Sequence, residues 1–163
     1  RILNLFAYSG ASTLALANQG ALVTHLDAAK GMVQWARENA ALNGLENEVR
    51  WVVDDVRKYL ARALRRQEKF DAIILDPPSF GRGKSGEIFT IERDLSLILQ
   101  QCRSLLSSQP LFFLFTCHTP GYTPLTIKQL LQQIIPQEKI EAGEMYIEGS
   151  FSLPSGTFAR CQL

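Results

Sequence analysis

The sequence predicts a doubly wound, mostly parallel α/β sheet with an antiparallel hairpin at one edge. Five apolar runs of strand length alternate with segments of helical periodicity, which is the pattern of successive βαβ units. Two weaker strand segments then close the chain without a helix between them, and such a pair forms an antiparallel hairpin. Acidic or small residues follow the main strands, so ligand-binding side chains are expected at the carboxyl edge of the sheet.

The first βα unit carries the clearest pattern. An apolar strand over residues 1–7 ends in a small-residue turn at Gly10, which opens into a helix over residues 11–18. The backbone N–H groups of such a turn can bind an anionic or polar group, because no helical carbonyl uses them. A second apolar run, residues 21–26, ends on Asp27. The carboxylate of Asp27 could accept hydrogen bonds from two ribose hydroxyls, cap the next helix, or do both.

These elements predict the front half of a nucleotide-binding βαβ unit. The turn has one glycine where a dinucleotide fingerprint has three, so it does not favour a pyrophosphate. The sequence contains no repeat and no linker, so we expect one domain, residues 1–163. Because the sequence begins within the first strand, we expect this domain to be a fragment of a longer protein. The other predicted elements are helices near residues 27–43, 56–66, 90–106 and 125–135, strands at 49–53, 70–75 and 111–117, a polar, mobile loop at 81–87, and closing strands near 139–146 and 157–163 joined through 153–156.

Composition and charge set broad limits on function. The 163 residues are 46% hydrophobic and 20% charged, with a formal net charge of +1, which neither favours nor excludes nucleic acid. No run approaches the ~20 apolar residues of a membrane span, and no signal peptide is recognisable. Three widely spaced cysteines form neither a disulfide framework nor a zinc motif, so a cytoplasmic protein without a bound metal is expected. Six of the 17 basic residues fall within residues 57–69. This cluster could be a solvated helix face or a phosphate-binding surface.

Two acids, Asp54 and Asp55, end the third strand. The Asp55 carboxylate could accept a hydrogen bond from the exocyclic amine of an adenine, while the backbone N–H of Val56 donates to a ring nitrogen. Asp54 competes for this role, and either acid could instead cap the following helix.

The most specific local motif follows the fourth strand, where an acid, two prolines, a serine and an aromatic residue occur in sequence: Asp76-Pro77-Pro78-Ser79-Phe80. The prolines fix an extended backbone, so the carbonyl groups there are held rigidly. Phe80 could offer an aromatic face to a flat substrate. A rigid strand exit without a catalytic role is the alternative interpretation.

Cys117 closes the fifth strand beside His118. A thiolate at this place could act as a nucleophile, but a strand cysteine can equally be a small core residue. Neighbouring strand residues point to opposite faces, so His118 is not a given partner of the thiol. A zinc site from these two residues and a distant cysteine lacks ligand spacing. Cys102 and Cys161 are expected in the core.

Together these stretches resemble the class I S-adenosylmethionine-dependent methyltransferases, and more closely the bacterial family that methylates 23S ribosomal RNA. The resemblance covers residues 1–118 well, and it implies a Rossmann-like sheet, S-adenosylmethionine as the cofactor and RNA as the partner. A longer protein would then carry its RNA-binding region upstream of this chain. The matching stretches are residues 3–13, 35–39, 42–44, 70–71, 76–80 and 92–94.

The resemblance also implies roles for individual residues. The first turn would hold the methionine end of the cofactor, Asp27 the ribose, and Asp55 with Val56 the adenine. Residues 76–80 would line the path between the methyl group and the target base. The implied cofactor-binding set is Phe6, Ala7, Tyr8, Ser9, Gly10, Thr13, Asp27, Ala28, Asp55, Val56 and Asp76, and the implied catalytic set is Asp76, Pro77, Pro78, Phe80 and Cys117.

The target chemistry stays open between two reactions. Family members that make 5-methylcytosine attack the base with a cysteine at the place of Cys117, whereas relatives that methylate guanine lack it. The sequence departs from the first group, because residues 116–119 read Thr-Cys-His-Thr where Ser-Cys-Ser-Gly is expected. Carbon 5 of cytosine reacts only after a thiolate adds to the ring, whereas a guanine nitrogen needs positioning and loss of a proton.

The sequence thus predicts a methyltransferase that modifies a base of 23S ribosomal RNA. Two other classes are considered: a dinucleotide-dependent oxidoreductase on the same sheet, and a non-catalytic domain that binds the cofactor or RNA. The single glycine of the turn and the Asp-Pro-Pro motif disfavour the oxidoreductase. The sequence leaves the oligomeric state open.

Overall fold

The computed structural model describes residues 1–45, 47–83, 86–136 and 139–163. Nine strands and five helices occur in these parts of the chain. In chain order they are β1 (Ile2–Leu5), α1 (Ala11–Ala17), β2 (Val23–Asp27), α2 (Lys30–Leu42), β3 (Val49–Val53), α3 (Val56–Arg65), β4 (Ala72–Leu75), β5 (Phe80–Arg82), β6 (Ile88–Thr90), α4 (Ile91–Leu105), β7 (Phe112–Cys117), α5 (Pro124–Ile134), β8 (Ile140–Ile147) and β9 (Leu153–Gln162).

Seven strands form one sheet in the order β3-β2-β1-β4-β7-β9-β8. The first five are parallel, whereas β9 pairs antiparallel with both β7 and β8. The strand order reverses beside β1, where the connections lead towards β2 on one side and β4 on the other. Crevices at such reversal points bind ligands at the carboxyl ends of the strands. The predicted sheet and its antiparallel edge are confirmed.

The core explains why the central strands are apolar throughout. All four residues of β4 are buried, because helices cover both faces of the sheet. The side of the sheet next to α3, α4 and α5 holds the larger hydrophobic cluster. A smaller cluster around Ile2, Val23 and Val49 fills the sheet end opposite the ligand edge. The sheet is therefore a rigid platform for the loops at its carboxyl edge.

A buried polar network joins β1, α1 and β2 beneath the first turn. The Asn4 side-chain amide donates to Thr13 Oγ1 at 2.8 Å, and Thr13 Oγ1 lies 2.9 Å from His25 Nδ1. All three side chains are buried, and the His25 ring packs on Trp51 with centroids 4.9 Å apart. Loss of solvation on burial lowers the pKa of His25 from 6.5 to about 4. The imidazole is therefore neutral near pH 7.

Two predicted connections differ from the structure. Phe80–Arg82 and Ile88–Thr90 form a short antiparallel hairpin, where the sequence predicts a polar loop; Lys84 and Ser85 of that loop lie outside the described residues. The closing strands are also longer than predicted, since the four residues 153–156 belong to β9 and the turn lies at residues 148–152. Neither hairpin has the Asn-Gly or Asp-Gly signal by which short turns are recognised.

Within the described ranges, every helix is too short or too polar to cross a membrane. The same ranges contain no group of three or more His, Cys, Asp or Glu side chains placed to hold a metal ion. All three cysteines are buried thiols.

Candidate active site

The turn after β1 is held in an unusual backbone conformation. Phe6 and Tyr8 have φ angles of 56° and 47°, in the left-handed region that side chains other than glycine rarely adopt. The N–H of Ala7 donates to the Leu26 carbonyl at 3.0 Å, which ties the turn to the end of β2. Backbone strain of this kind persists where surrounding contacts fix it, and it occurs often at binding sites.

Asp27 provides a main part of that fixation. Its carboxylate accepts hydrogen bonds from the Tyr8 N–H at 2.9 Å and from the Ala29 N–H at 2.8 Å. The cap of α2 is Ala29, which makes no side-chain capping bond, so Asp27 precedes the helix and does not cap it directly. The side chain is half-buried at the ligand edge and links the β1 turn to the start of α2.

Gly10 is the one position of the turn where glycine is required by both conformation and space. Its φ angle is 91°, and a Cβ atom built there would lie 3.0 Å from the Ala36 Cβ on α2. The absence of a side chain lets α1 begin close against α2. Two strained turn residues, an acid that accepts from the Tyr8 N–H and this close approach therefore form one preorganised unit.

Asp55 caps α3. Its side chain accepts hydrogen bonds from the backbone N–H groups of Arg57 and Lys58, and its second oxygen bonds to the Arg57 guanidinium at 2.9 Å. Burial alone raises the pKa of Asp55, but the hydrogen bonds from Arg57 and Lys58 outweigh this effect and hold it below 3.8. Asp54 instead pairs with Arg62. The capping alternative is therefore observed for Asp55, and Val56 is the first helical residue, whose N–H has no intrahelical acceptor.

Arg57 bridges this loop to α4. Besides Asp55, the guanidinium donates to the Asp94 carboxylate at 3.1 Å and to the Ile88 carbonyl at 3.0 Å. Asp94 is buried and also accepts bonds from the Arg93 side chain and the Thr90 N–H. These bonds lower the pKa of Asp94, with the Arg93 side chain as the largest cause. The network fixes the β5–β6 hairpin against the end of β3.

We expect Asp94→Asn to lower the free energy of unfolding by about 1–2 kcal/mol, since it weakens hydrogen bonds between charged, partly buried groups. Urea denaturation monitored by circular dichroism measures the change. Glu92→Gln serves as the control, because Glu92 is an exposed acid in the same first turn of α4. Equal stability of the two variants would contradict the role given to Asp94.

The Asp-Pro-Pro segment joins β4 to the hairpin. Ser79 Oγ lies 2.8 Å from Thr119 Oγ1, so the segment is also tied to the loop that follows β7. His118 in that loop places Nε2 3.5 Å from Asp76 Oδ1. Phe80 is 51% exposed, and the Arg82 guanidinium lies over its ring at 5.8 Å. The segment is therefore connected on both sides, as its rigid proline backbone suggests.

These loops enclose a cavity of about 420 Å³ at the carboxyl edge of the sheet. Its size falls within the ~300–1,000 Å³ typical of small-molecule sites. Three carboxylates line it, contributed by the ends of β2, β3 and β4. The lining residues are Phe6, Tyr8, Asp27, Ala28, Ala29, Asp55, Val56, Arg57, Asp76, Pro77, Pro78, Ser79, Gly81, Arg82, Gly83, Phe89 and His118.

The cavity brings together many of the residues selected from the sequence. Ala7, Gly10 and Thr13 are buried beside it and support the turn from behind. Phe80 and Ser9 lie outside the described lining, Phe80 as an exposed side chain on β5 and Ser9 with its carbonyl bonded to the Asn39 amide. The selected residues that line the cavity are Phe6, Tyr8, Asp27, Ala28, Asp55, Val56, Asp76, Pro77 and Pro78.

The lining residues of the β5–β6 hairpin are not predicted from the sequence. Phe89 packs against Phe6 with ring centroids 5.1 Å apart, so β6 closes the cavity beside the first turn. A three-residue strand is too short to show a clear alternation. The sequence places Arg57 in a basic cluster and His118 next to Cys117, and neither pattern predicts a position at the cavity.

Cys117 lies outside the described lining of this cavity. Its side chain is 1% exposed and belongs to the large core cluster, on the same face of β7 as Phe113 and Phe115. His118 follows it and turns towards the cavity. The structure thus places the imidazole at the cavity wall and the thiol in the core.

The basic cluster at residues 57–69 is largely paired with other residues that the structure describes. Arg57 bonds to two carboxylates, Lys58 pairs with Glu87, and Arg62 pairs with Asp54. Lys69 donates to the Ser104 carbonyl at 2.8 Å. These contacts favour the interpretation of a solvated, internally paired helix face over a phosphate-binding surface.

A parallel sheet with acids at three successive strand ends and a tight first turn defines a nucleoside-cofactor-binding α/β protein. The model of the S-adenosylmethionine-dependent methyltransferase family matches residues 1–127. The chain belongs to this family, and S-adenosylmethionine is its cofactor.

Individual relatives agree with this assignment. Ribosomal RNA large subunit methyltransferase K of Neisseria meningitidis serogroup B is 31% identical over 147 residues, covering 85% of this chain and 42% of the relative. Ribosomal RNA large subunit methyltransferase I of Tolumonas auensis is 32% identical, covering 88% of this chain and 35% of the relative. The chain therefore spans less than half the length of these relatives.

A solved structure extends the similarity to the whole fold. The S-adenosylmethionine-dependent methyltransferase of Agrobacterium tumefaciens superimposes with a TM-score of 0.94 at 34% identity, covering 99% of this chain and 55% of that one. The described fold, including the β8–β9 edge, is thus found in an experimental structure of a family member.

The cavity fits the cofactor of this family. S-adenosylmethionine is a nucleoside with a charged methionine end, and the cavity offers acids at three strand ends beside the backbone of the first turn. Arg57 and Arg82 also line the cavity, and Arg57 pairs with Asp55, so the charge of the lining is mixed. The family match, and not this charge, decides against the oxidoreductase alternative.

Proposed function

We propose that this chain is the catalytic domain of an enzyme that methylates a base of large-subunit ribosomal RNA. The observation that carries the proposal is the single cavity shared by the cofactor turn, Asp27 and the Asp-Pro-Pro segment. The ribosomal RNA methyltransferases among its relatives support the choice of substrate. A further proposal is that residues 1–163 form one domain and that a separate region of a longer protein binds most of the RNA, since most basic residues of α3 are internally paired.

The residues of the chain would divide the binding of the cofactor between them. The N–H groups and side chains of residues 6–10 would hold the methionine end. The remaining lone pairs of the Asp27 carboxylate would accept hydrogen bonds from the ribose hydroxyls. Val56 would donate its free helix N-terminal N–H to the adenine ring, beside Asp55. When bound, S-adenosylmethionine supplies an activated methyl group, so the protein chiefly has to align donor and acceptor.

The base would lie on the Asp76 side of the cavity. Pro77 and Pro78 give this wall a fixed backbone, and Phe80 offers an exposed ring at the rim on which a base can stack. The β5–β6 hairpin packs on Phe6 through Phe89, which ties this wall to the cofactor turn. The wall would thereby orient the acceptor atom towards the methyl group.

The acceptor in this proposal is a nitrogen and not carbon 5 of cytosine. Methylation at carbon 5 needs a thiolate that reaches the ring, and Cys117 is buried in the core at the end of β7. A nitrogen acceptor needs no covalent intermediate. The position of the thiol therefore favours the second of the two reactions considered from the sequence.

We expect the chain to transfer labelled methyl groups from S-adenosylmethionine to deproteinised 23S ribosomal RNA, and we expect Cys117→Ala to do so at a rate within about threefold of wild type. Scintillation counting measures transfer, and nuclease digestion with mass spectrometry identifies the nucleoside.

Two controls separate the parts of this proposal. Isothermal titration with S-adenosylmethionine and with NAD tests the cofactor: binding of NAD alone would refute it. Incubation with RNA containing 5-fluorocytosine tests the thiol, because a covalent complex formed by wild type and lost in Cys117→Ala would restore the carbon 5 reaction.

A further inference from the structure

The His118 imidazole is held in a fixed position at the wall of the cavity. Its Nδ1 atom forms a hydrogen bond with the Ser155 carbonyl oxygen on β9, and its Nε2 atom faces Asp76 Oδ1 at 3.5 Å. The neighbouring Thr119 is tied to Ser79, which fixes the loop relative to the Asp-Pro-Pro segment. The ring is thus held from the sheet on one side and faces the reaction path on the other.

Gly156 leaves the space that this position of the His118 ring requires. Its φ angle is 150°, and a Cβ atom there would lie 2.8 Å from both His118 Nδ1 and the Cys117 carbonyl oxygen. Any side chain at this position would push the imidazole away from β9. The place of the ring therefore depends on a glycine in the strand paired with β7.

The bond to Ser155 decides which ring nitrogen carries the hydrogen. A carbonyl oxygen can only accept, so Nδ1 must donate, and the neutral imidazole carries its hydrogen on Nδ1. Nε2 then presents a lone pair to the cavity. His118 is the only histidine of that lining, since the other histidine of the chain, His25, is buried beneath the first turn.

Asp76 completes the arrangement. Its Oδ1 atom is buried and accepts no hydrogen bond from any residue that the structure describes. Two acceptors, Nε2 and Oδ1, thus lie 3.5 Å apart with no donor between them. A buried acceptor without a donor is costly, and once Nε2 takes up a proton, its N–H can donate to Asp76 Oδ1.

We propose that His118 is the general base of the methyl transfer, and that the acceptor is a nucleobase nitrogen that carries a hydrogen, such as an exocyclic amine. The inference rests on the proposed function. The nitrogen lone pair forms the new N–C bond as the bond between carbon and the donor sulfur breaks, with its electron pair left on sulfur. The N–H proton of the methylated nitrogen passes to Nε2, and Asp76 stabilises the imidazolium. The half-exposed ring then returns the proton to water.

This assignment restricts the substrate. A ring nitrogen without a hydrogen has no proton for His118 to remove, and a carbon acceptor would need a thiolate instead of a general base. A general base contributes about 10²–10⁴-fold to a rate, so its loss is measurable. The product nucleoside must therefore be methylated at a nitrogen that carried hydrogen before the reaction.

Two variants test the proposal. His118→Asn keeps a donor near Nδ1, and His118→Gln keeps a polar group near Nε2, but neither can accept the proton. With saturating cofactor and RNA we expect both to transfer methyl groups at least 100-fold more slowly than wild type. Their affinity for S-adenosylmethionine, measured by calorimetry, should stay within about threefold. Transfer at the wild-type rate by either folded variant, or a product methylated at carbon 5 or at a nitrogen without hydrogen, would overturn it.

A second readout does not depend on activity. Nitrogen-15 shifts of the two imidazoles in the labelled chain report the tautomer of each ring, and His118→Gln identifies the His118 signals. We expect the Nδ1–H tautomer for neutral His118, and the Nε2–H tautomer would overturn the proposal. If wild type transfers no methyl group to RNA while the Nδ1–H tautomer is found, the RNA substrate is wrong. In that case a small amine serves as the methyl acceptor. Methylation of the amine by wild type and not by the variants would support His118 as the general base, and equal methylation by all three would refute that role.

Discussion

Asp27→Ala is expected to raise the Kd for S-adenosylmethionine about ten- to a hundred-fold. The substitution removes the proposed acceptor for the ribose hydroxyls, and hydrogen bonds to charged groups contribute about 1.5–3 kcal/mol. It also removes the bonds to the N–H groups of Tyr8 and Ala29, at 2.9 Å and 2.8 Å, which hold the first turn. Isothermal titration calorimetry measures the affinity directly.

The matched control is Asp71→Ala, which removes an acid that precedes β4 at the opposite edge of the sheet and pairs with the Arg1 amino group. Its Kd should stay within about twofold of wild type. An unchanged Kd for folded Asp27→Ala would reject the ribose role. A change of equal size in both variants would indicate a general loss of stability and not a local effect.

The second large effect is on stability in mild acid. The pKa of His25 lies at about 4 in the folded chain and at 6.5 as an ordinary value, because burial disfavours the charged ring. Between these two values the unfolded state binds the proton more readily, so stability is full above pH 6.5 and falls as the pH drops towards 4. Between pH 7 and pH 4.5 the loss corresponds to about 2.4 kcal/mol, to be measured by urea denaturation at these two pH values.

His25→Gln should remove most of this dependence, although it will be less stable at pH 7 because the bond to Thr13 and the packing on Trp51 change. The carboxylates do not mimic the effect. Asp55 and Asp94 have pKa values below 3.8, so their contribution is lost only at lower pH. A slope between pH 7 and pH 4.5 that is equal in wild type and His25→Gln would show that another group carries it.

The sheet and the acids at its ligand edge could be predicted from the sequence, because each depends on local order along the chain. Asp27 and Asp76 directly follow apolar runs and Asp55 follows one after Asp54, and the carboxyl ends of parallel strands share one edge. The side on which Cys117 lies could not be predicted. Both faces of β7 are apolar in sequence, so its alternation does not tell which face carries the more deeply buried side chains.

The β5–β6 hairpin could not be predicted for a different reason. Its strands have three residues each, and they pair through a segment of Gly, Lys and Ser whose composition is typical of loops. What stabilises it lies far away in sequence: Arg57 on α3 bonds to the Ile88 carbonyl, and Phe6 packs on Phe89. Local propensity cannot predict such contacts. It also cannot predict the position of the His118 ring, which depends on Gly156 in a distant strand.

The place of β9 in the sheet has a consequence for biosynthesis. β9 follows the other six strands of the sheet along the chain, yet it inserts between β7 and β8 and supplies the pairing for the whole length of β7. Until β9 is synthesised, β7 presents an unpaired row of N–H and C=O groups flanked by apolar side chains, which is a template for intermolecular association. We therefore expect nascent chains stalled before β9 to depend on chaperones, and their aggregation to be relieved by a peptide with the sequence of β9.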